Sequence, residues 1–466
     1  MSNPDNLILH IGTGAFHRAH QAFYLHKLNQ ESHAPEDSKW SLVAGNIRND
    51  VEQIMDALRS QNGEYTLETI TPHGEHSYTK IQSIKKICSW TPDLKELIEV
   101  GSCKECKIIS FTVTEGGYYL DEHDKLILEN PDIAADIQGG MKTIYGTIFA
   151  ILESRKNKNS GKITLQSCDN LRSNGARFKA GLMAFLEHKQ NSESLKTWIK
   201  ESTTFPCSMV DRITPRPTPD VAERVLKATG FADKCPVMGE AFIQWVIEEH
   251  FANGRPSWEK VGVEIVDSVA PYEEAKIRIL NASHSCVAWA GTLIGLTYIH
   301  EDTANPEIKK FAYQYITEDV IPALSPSPIN LEEYRDIVLE RFLNPNLKDT
   351  NKRVNLDSYS KIAGFIVPTI SDTFAKKSIP KATAILTALF FRFLEKWIQG
   401  NEEEFAFIDS TMDKNVVKGF FKSDDPIKAF CSDKLLWGKL SGKKELENVV
   451  REGVEIVDKW LASQKK

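Results

Sequence analysis

A chain of 466 residues, 41% hydrophobic and 26% charged, is too long for one ordinary core and too apolar for a disordered or fibrous polymer, so two globular domains are expected. Its 57 basic and 64 acidic side chains give a net charge of −7, without the basic field that coating nucleic acid or an anionic membrane requires. No apolar run of about 18 residues offers a membrane span, the start lacks the basic and apolar regions of a signal peptide, and eight cysteines are too sparse for a disulfide scaffold, so a cytoplasmic protein with reduced thiols is expected.

The first half alternates short apolar runs with amphipathic stretches, the pattern of a mostly parallel sheet with crossover helices. Residues 7–11 read as a first buried strand, and residues 19–28 as a helix with Ala22, Leu25 and Leu28 on one face. A second strand is predicted over 40–45, then a helix through Val51, Ile54, Met55 and Leu58. Residues 65–70 and 78–87 alternate polar and apolar side chains and read as an added strand pair. Further strands over 107–113 and 163–168 each run into a polar loop, with an amphipathic helix over 141–152 between them. Pro206, Pro215, Pro217 and Pro219 then enforce a stiff, extended stretch around Arg216. From Pro271 on, strand signals give way to helical patterns over 272–296, 309–320, 331–342, 382–399 and 445–463. The expected organisation is an α/β domain over 1–270 followed by a mostly α-helical domain over 271–466.

The segment His10-Ile-Gly12-Thr-Gly14-Ala-Phe16-His17-Arg18 joins the first strand to the first helix. Two glycines there permit a tight turn and close backbone approach to a pyrophosphate seated on a helix N-terminus. The third glycine of the usual fingerprint is replaced by His17, and a tight turn without ligand is the alternative; the position after the first strand favours a dinucleotide. Past the second strand, Asn46 or Asp50 can bond a ribose hydroxyl and Arg48 can meet a 2′-phosphate, so the spacing leaves NAD and NADP open. Cys103 and Cys106 form a lone C-x-x-C with no second pair, and no metal site is expected.

The densest grouping of chemical side chains is Pro271-Tyr-Glu273-Glu274-Ala-Lys276-Ile-Arg-Ile-Leu-Asn281-Ala-Ser-His284. On an α-helix at about 100° per residue, Glu273, His284 and Asn281 fall within an arc of about 140° from Lys276. The remaining faces are mainly apolar, so the helix is expected to be buried, and polar groups on a buried helix need partners or a cavity. A lysine against low-dielectric walls is pulled toward the neutral amine and can take a proton from an alcohol. Amide side chains can stabilise the alkoxide, here Asn281 and, in the loop Ser167-Cys-Asp-Asn170, Asn170. The alternative is a Glu273–Lys276 ion pair with Asn281 and His284 bonded to core carbonyls.

Phe205-Pro-Cys-Ser-Met-Val-Asp211-Arg212-Ile-Thr-Pro215 is similar to the signature of the mannitol dehydrogenase family, the long-chain polyol dehydrogenases, and Lys276, Asn281 and His284 keep its K-x4-N-x2-H spacing. Thr112-Val-Thr-Glu115-Gly-Gly-Tyr118 and Ser167-Cys-Asp-Asn170-Leu are further matched blocks, so the resemblance covers essentially the whole chain. It implies a Rossmann-type N-terminal domain, a helical C-terminal domain, a cleft between them, NAD as cofactor and no zinc. By position it implies Lys276 as general base, Asn170 with Asn281 as oxyanion donors, and Glu273 on the proton path. It also implies Asp211 and His284 on substrate hydroxyls, Glu115 near the cofactor, and Arg353 with Lys361 at the polyol end; an ion pair of Asp211 with Arg212 is a structural alternative. The wording of Ala44-Gly-Asn-Ile-Arg-Asn49, Gly239-Glu-Ala-Phe-Ile-Gln-Trp245 and Ile279-Leu-Asn-Ala-Ser-His-Ser285 narrows the implied reaction to D-arabinitol and D-xylulose. Mannitol oxidation or hexuronate reduction is the alternative on the same scaffold. A non-catalytic NAD-binding sensor is the alternative of another class, against which the lysine and two asparagines argue. The implied partner is a small polyol or ketose, with no nucleic acid and no membrane, acting on a monomer by resemblance only.

Overall fold

Short strands with apolar side chains at their buried positions set up the first domain. In chain order the strands are β1 (Asn6–Ile11), β2 (Trp40–Gly45), β3 (Tyr65–Ile70), β4 (His76–Ile81), β5 (Ile84–Ile87), β6 (Cys106–Phe111), β7 (Ile163–Ser167) and β8 (Thr203–Thr204). Six of them form one wholly parallel sheet in the order β5-β2-β1-β6-β7-β8. Counted along that sheet this is the order 3-2-1-4-5-6 of a Rossmann fold. Leu9, Ile11, Val43, Ile109 and Phe111 enter one core, and Ile8, Leu42, Ala44 and Ile108 enter the other. A parallel sheet covered on both faces demands mainly apolar strands, and each Leu, Ile, Val or Phe so buried contributes about 1.5–3 kcal/mol.

The molecule is known here as a computed structural model that describes residues 6–31, 40–121, 123–215, 217–400, 409 and 412–464. The start of the chain, Arg216 of the proline-rich stretch and the terminal Lys465 and Lys466 lie outside the described residues. Four more strands, β9 (Ser208–Asp211), β10 (Val237–Glu240), β11 (Gln244–Glu248) and β12 (Glu264–Val266), complete two small sheets, β10-β3-β4 and β12-β11-β9.

Two sequence expectations change in this domain. The helix expected over 19–28 is two, Ala15–Ala19 and Gln21–Glu31, because His20 leaves helical geometry and shares a hydrogen bond of 2.9 Å with the Gln244 carbonyl. The strand expected over 78–87 is also two. β4 runs antiparallel to β3 and β5 joins the parallel sheet, with the break fixed by Ser83 Oγ donating to the Ala22 carbonyl at 2.6 Å.

The chain divides into two units: the residues up to Thr71 with Glu75–Ala270, and Pro72–Gly74 with the chain from Pro271 on. The second unit is helical. Helix Thr383–Gln399 is apolar nearly all round and packs on Lys444–Gln464, while Trp289, Phe390, Phe430 and Trp437 fill the interior. Among the described residues three stretches run as π-helix, Lys276–Asn281, Tyr315–Val320 and Ile362–Ile366. Among the described residues no helix is long and apolar enough to cross a membrane.

Candidate active site

β1 ends at Ile11, and the chain turns through Gly12 at φ +99°, so close to the next strand's exit that a Cβ would overlap the Thr112 carbonyl oxygen. Glycine is required there on both counts. Asn46, just past β2, accepts the Thr13 N–H at 2.8 Å, and its Nδ2 is buried without a hydrogen-bond partner. A cavity of about 640 Å³ opens at this point, lined by Gly12, Gly14, Asn46, Arg48, Asp50 and Thr114 among others. It lies at the C-terminal ends of β1, β2 and β6, where the strand order reverses and a doubly wound sheet leaves room for a ligand.

The structure thus gathers Gly12, Gly14, Asn46 and Asp50 of the expected cofactor residues, but Phe16, His17 and Glu115 do not line the cavity. The short helix Ala15–Ala19 carries His17 inward, where its ring stacks on His10 at 3.4 Å. Burial holds both imidazoles below their ordinary range, His10 at about 3, so the pair packs as neutral rings. Phe16 stacks on His20 at 4.9 Å. Glu115 is exposed at the start of the turn Glu115–Tyr118, whose Gly116 and Gly117 do reach the cavity.

Asp169, to which the sequence reading gave no role, organises that wall. Its carboxylate accepts from Val113 N at 3.0 Å, Thr114 N at 2.7 Å and Tyr118 OH at 3.0 Å. Thr114 stands at φ +61°, a conformation that costs about 1–3 kcal/mol and persists only when its surroundings enforce it. Burial pushes the Asp169 carboxyl up to about 6 against the pull of those donors. Asn170 follows directly and is exposed in the loop before helix Asn174–His188. Asp211 ends β9 and is buried, opposite Gln244 in the sheet register. Its neighbour Arg212 donates to the carbonyls of Ala19 at 2.6 Å and Glu240 at 2.9 Å, tying parts of the first unit together.

In the second unit, Glu273 and Lys276 are each 6% exposed. The single helix expected over 272–296 is interrupted: Ala270–Ala275 and Ala282–Leu293 are α, and Lys276–Asn281 between them is π. That overturns the arc computed at 100° per residue. A π turn closes on residue i+5, so Asn281 comes round much nearer the Lys276 direction than 140°. Ser283 Oγ donates to the Ile279 and Leu280 carbonyls and Ser285 Oγ to that of Asn281, serving backbone oxygens of this wider turn. The other cation of the segment, Arg278, is neutralised by Glu274 at 2.7 Å and Asp372 at 2.5 Å.

His284 and Arg353 come together around a residue the sequence reading missed. Asp349 Oδ2 lies 3.3 Å from His284 Nε2, and Arg353 grips the same carboxylate through Nε and Nη2 at 2.5 Å each. The Lys361 ammonium donates to the carbonyls of Val354 and Leu356 at 2.7 and 2.6 Å. Asp302 anchors the segment that bears Arg353: its Oδ1 accepts from Asn351 Nδ2 at 3.1 Å, and Gly291 packs so close that a Cβ would overlap Oδ1. Burial pushes the Asp302 carboxyl up to about 8 from 3.8, opposed by the Asn351 amide. The folded protein therefore holds this proton more firmly than the unfolded chain. The resulting stability is whole below about pH 4 and is lost as pH rises through about 8. Asp302→Asn, neutral throughout, is expected to flatten the fall of the unfolding temperature across that window; a parallel fall in both proteins would contradict it.

Residues 6–260 match the mannitol dehydrogenase Rossmann domain, and residues 268–458 match the mannitol dehydrogenase C-terminal domain. The chain belongs to the mannitol dehydrogenase family. Among its relatives in this family, D-arabinitol 4-dehydrogenase of Ralstonia nicotianae is 54% identical, covering 98% of both chains. That of Klebsiella pneumoniae is 50% identical, over 96% of this chain and 97% of its own. The family fold extends to the solved structure of Pseudomonas fluorescens mannitol 2-dehydrogenase in ternary complex with NAD and D-mannitol. It superposes at a TM-score of 0.80 with 32% identity, over 98% of this chain and 93% of that one.

Proposed function

We propose that this protein oxidises D-arabinitol to D-xylulose, reversibly, with NAD as cofactor and Lys276 as general base. Relatives at 54% and 50% identity are named for that polyol, and they support a polyol dehydrogenase first and this substrate in particular. The first domain has the features a dinucleotide needs. Gly12 and Gly14 let a pyrophosphate approach the backbone, and the unpartnered Asn46 Nδ2 with Asp50 suits a ribose. Arg48, the group that could favour a 2′-phosphate, is bonded to Tyr119 OH at 3.1 Å, which favours NAD over NADP. Bound NAD supplies the acceptor for a hydride.

The chain's own residues handle the proton and the oxygen. Lys276, as the free amine, takes the proton from the hydroxyl being oxidised, and Glu273, one turn earlier, passes it on. Asn170 and Asn281 donate from their amides to the oxygen as negative charge grows on it. Asp211, His284, Arg353 and Lys361 hold the remaining hydroxyls. The observation that supports this most is a lysine 6% exposed at the head of a π turn that brings a carboxamide, Asn281, round toward its own direction. A nucleotide sensor would have no use for that pair.

The test is a spectrophotometric panel of D-arabinitol, mannitol, sorbitol and xylitol, each with NAD and with NADP. D-Arabinitol with NAD is expected to give the highest kcat/KM, by about tenfold or more over the hexitols. A chelator is expected to leave the rate unchanged. A preference for mannitol would move the substrate to the hexitols, and no oxidation of any polyol would overturn the proposal.

A further inference from the structure

We infer that Asp349 is a positioning residue for substrate binding: its carboxylate holds His284 and Arg353 together and keeps the His284 imidazole as the tautomer with hydrogen on Nε2, leaving Nδ1 to accept a hydrogen bond from a polyol hydroxyl. This rests on the reading of His284 and Arg353 as substrate-binding residues.

Three contacts lead to it. The Asp349 side chain is only 10% exposed, and its Oδ2 lies 3.3 Å from His284 Nε2, a close charge contact on a buried ring nitrogen that has no aligned hydrogen bond of its own. The His284 ring also lies against Phe342, with centroids 4.6 Å apart and planes 20° from parallel. One contact on the edge and one on the face leave the imidazole little freedom to turn. Arg353, four residues beyond Asp349, closes a two-point grip on both carboxylate oxygens at 2.5 Å, the strongest form of carboxylate pairing. The backbone of Asp349 is itself fixed, since its carbonyl accepts the Ile299 N–H at 3.0 Å.

The proton assignment follows from chemistry. An ionised carboxylate can only accept and repels a ring lone pair, so at this distance it favours hydrogen on the nitrogen that faces it. Burial alone would raise the Asp349 carboxyl, yet His284 and Arg353 hold it well below the usual carboxylate range. Burial pushes His284 below its ordinary value, and the nearby cations Arg353 and Lys361 add to that, while Asp349 opposes it. The pair at neutral pH is then a carboxylate and a neutral imidazole, Nε2–H toward Asp349 and a lone pair on Nδ1. A carboxylate orienting a histidine by its second nitrogen is the same device that fixes metal-binding and catalytic imidazoles. The outcome is a matched pair for one diol: His284 accepts from a hydroxyl, and Arg353, which has donors only, gives to one.

The experiment uses the full-length protein and its Asp349→Ala, Asp349→Glu and His284→Ala variants. It reads kcat and KM for D-arabinitol, the NADH dissociation constant by fluorescence, and nitrogen-15 NMR of the histidines. The His284→Ala spectrum assigns the signal of His284 among the twelve histidines. Asp349→Ala is expected to raise KM about tenfold or more, with NADH affinity changed less than twofold, and Asp349→Glu is expected to recover part of that loss. The unmodified protein is expected to show His284 protonated on Nε2. Unchanged KM in Asp349→Ala beside a raised KM in His284→Ala would overturn the inference and leave the functional reading standing, as would an Nδ1–H tautomer in the NMR spectrum. Loss of NADH binding equal to the loss of substrate binding would also overturn it, by reducing Asp349 to a support of the fold. Unchanged KM in His284→Ala would instead remove the parent reading of the substrate residues.

Discussion

Replacing Lys276 by alanine is expected to lower D-arabinitol turnover by about a hundred- to ten-thousandfold while NADH binds as tightly as before. A positioned base contributes that much when it alone takes the proton of the reacting hydroxyl. The side chain is 6% exposed, on a segment whose Ile277, Ile279 and Leu280 are also buried, so the substitution removes packing as well as an amine. Lys276→Met separates the two effects, because it keeps an unbranched stem of similar volume. Both variants are expected to lose turnover equally, while Lys276→Met keeps the unfolding temperature closer to that of the parent. Turnover preserved in Lys276→Met would mean that the stem matters and the amine does not.

Asn281→Ala and Asn170→Ala are each expected to reduce kcat by about a hundred- to a thousandfold, with KM for D-arabinitol changed far less. A donor aimed at an oxygen that becomes an alkoxide works harder in the transition state than in the ground state, so its loss appears in kcat. The two residues stand in different local settings. Asn281 closes the π turn that begins at Lys276, and Asn170 follows Asp169, whose carboxylate is pinned by Val113, Thr114 and Tyr118. A rise in KM at constant kcat in either single variant would make that asparagine a ground-state contact only.

Much of this was readable from the chain. β1, β2 and β6 announce themselves as short, mainly apolar runs, because a parallel strand buried on both faces has little polar side to show. Gly12 is visible because a turn at φ +99° against a neighbouring carbonyl admits no other residue. What stayed hidden depends on the third dimension. A π turn leaves no periodic signature within six residues, so the arc drawn from Lys276 to Asn281 assumed the wrong pitch. His17 stands where the fingerprint has glycine, and only the fold reveals that it turns inward onto His10. Asp349 and Asp169 look like ordinary loop acids in the sequence. Their importance comes from partners 65 and 56 positions away, His284 and Val113, which no local pattern brings together.

The most direct measurement is rescue of the Lys276→Ala protein by added primary amines, followed through reduced-nicotinamide absorbance with D-arabinitol and NAD. The expected result is turnover that rises with the concentration of unprotonated methylamine and is insensitive to its ammonium form, in a protein otherwise almost inactive. Turnover that ignores free amine at every pH, while NADH still binds normally, would contradict proton transfer to a lysine at this position.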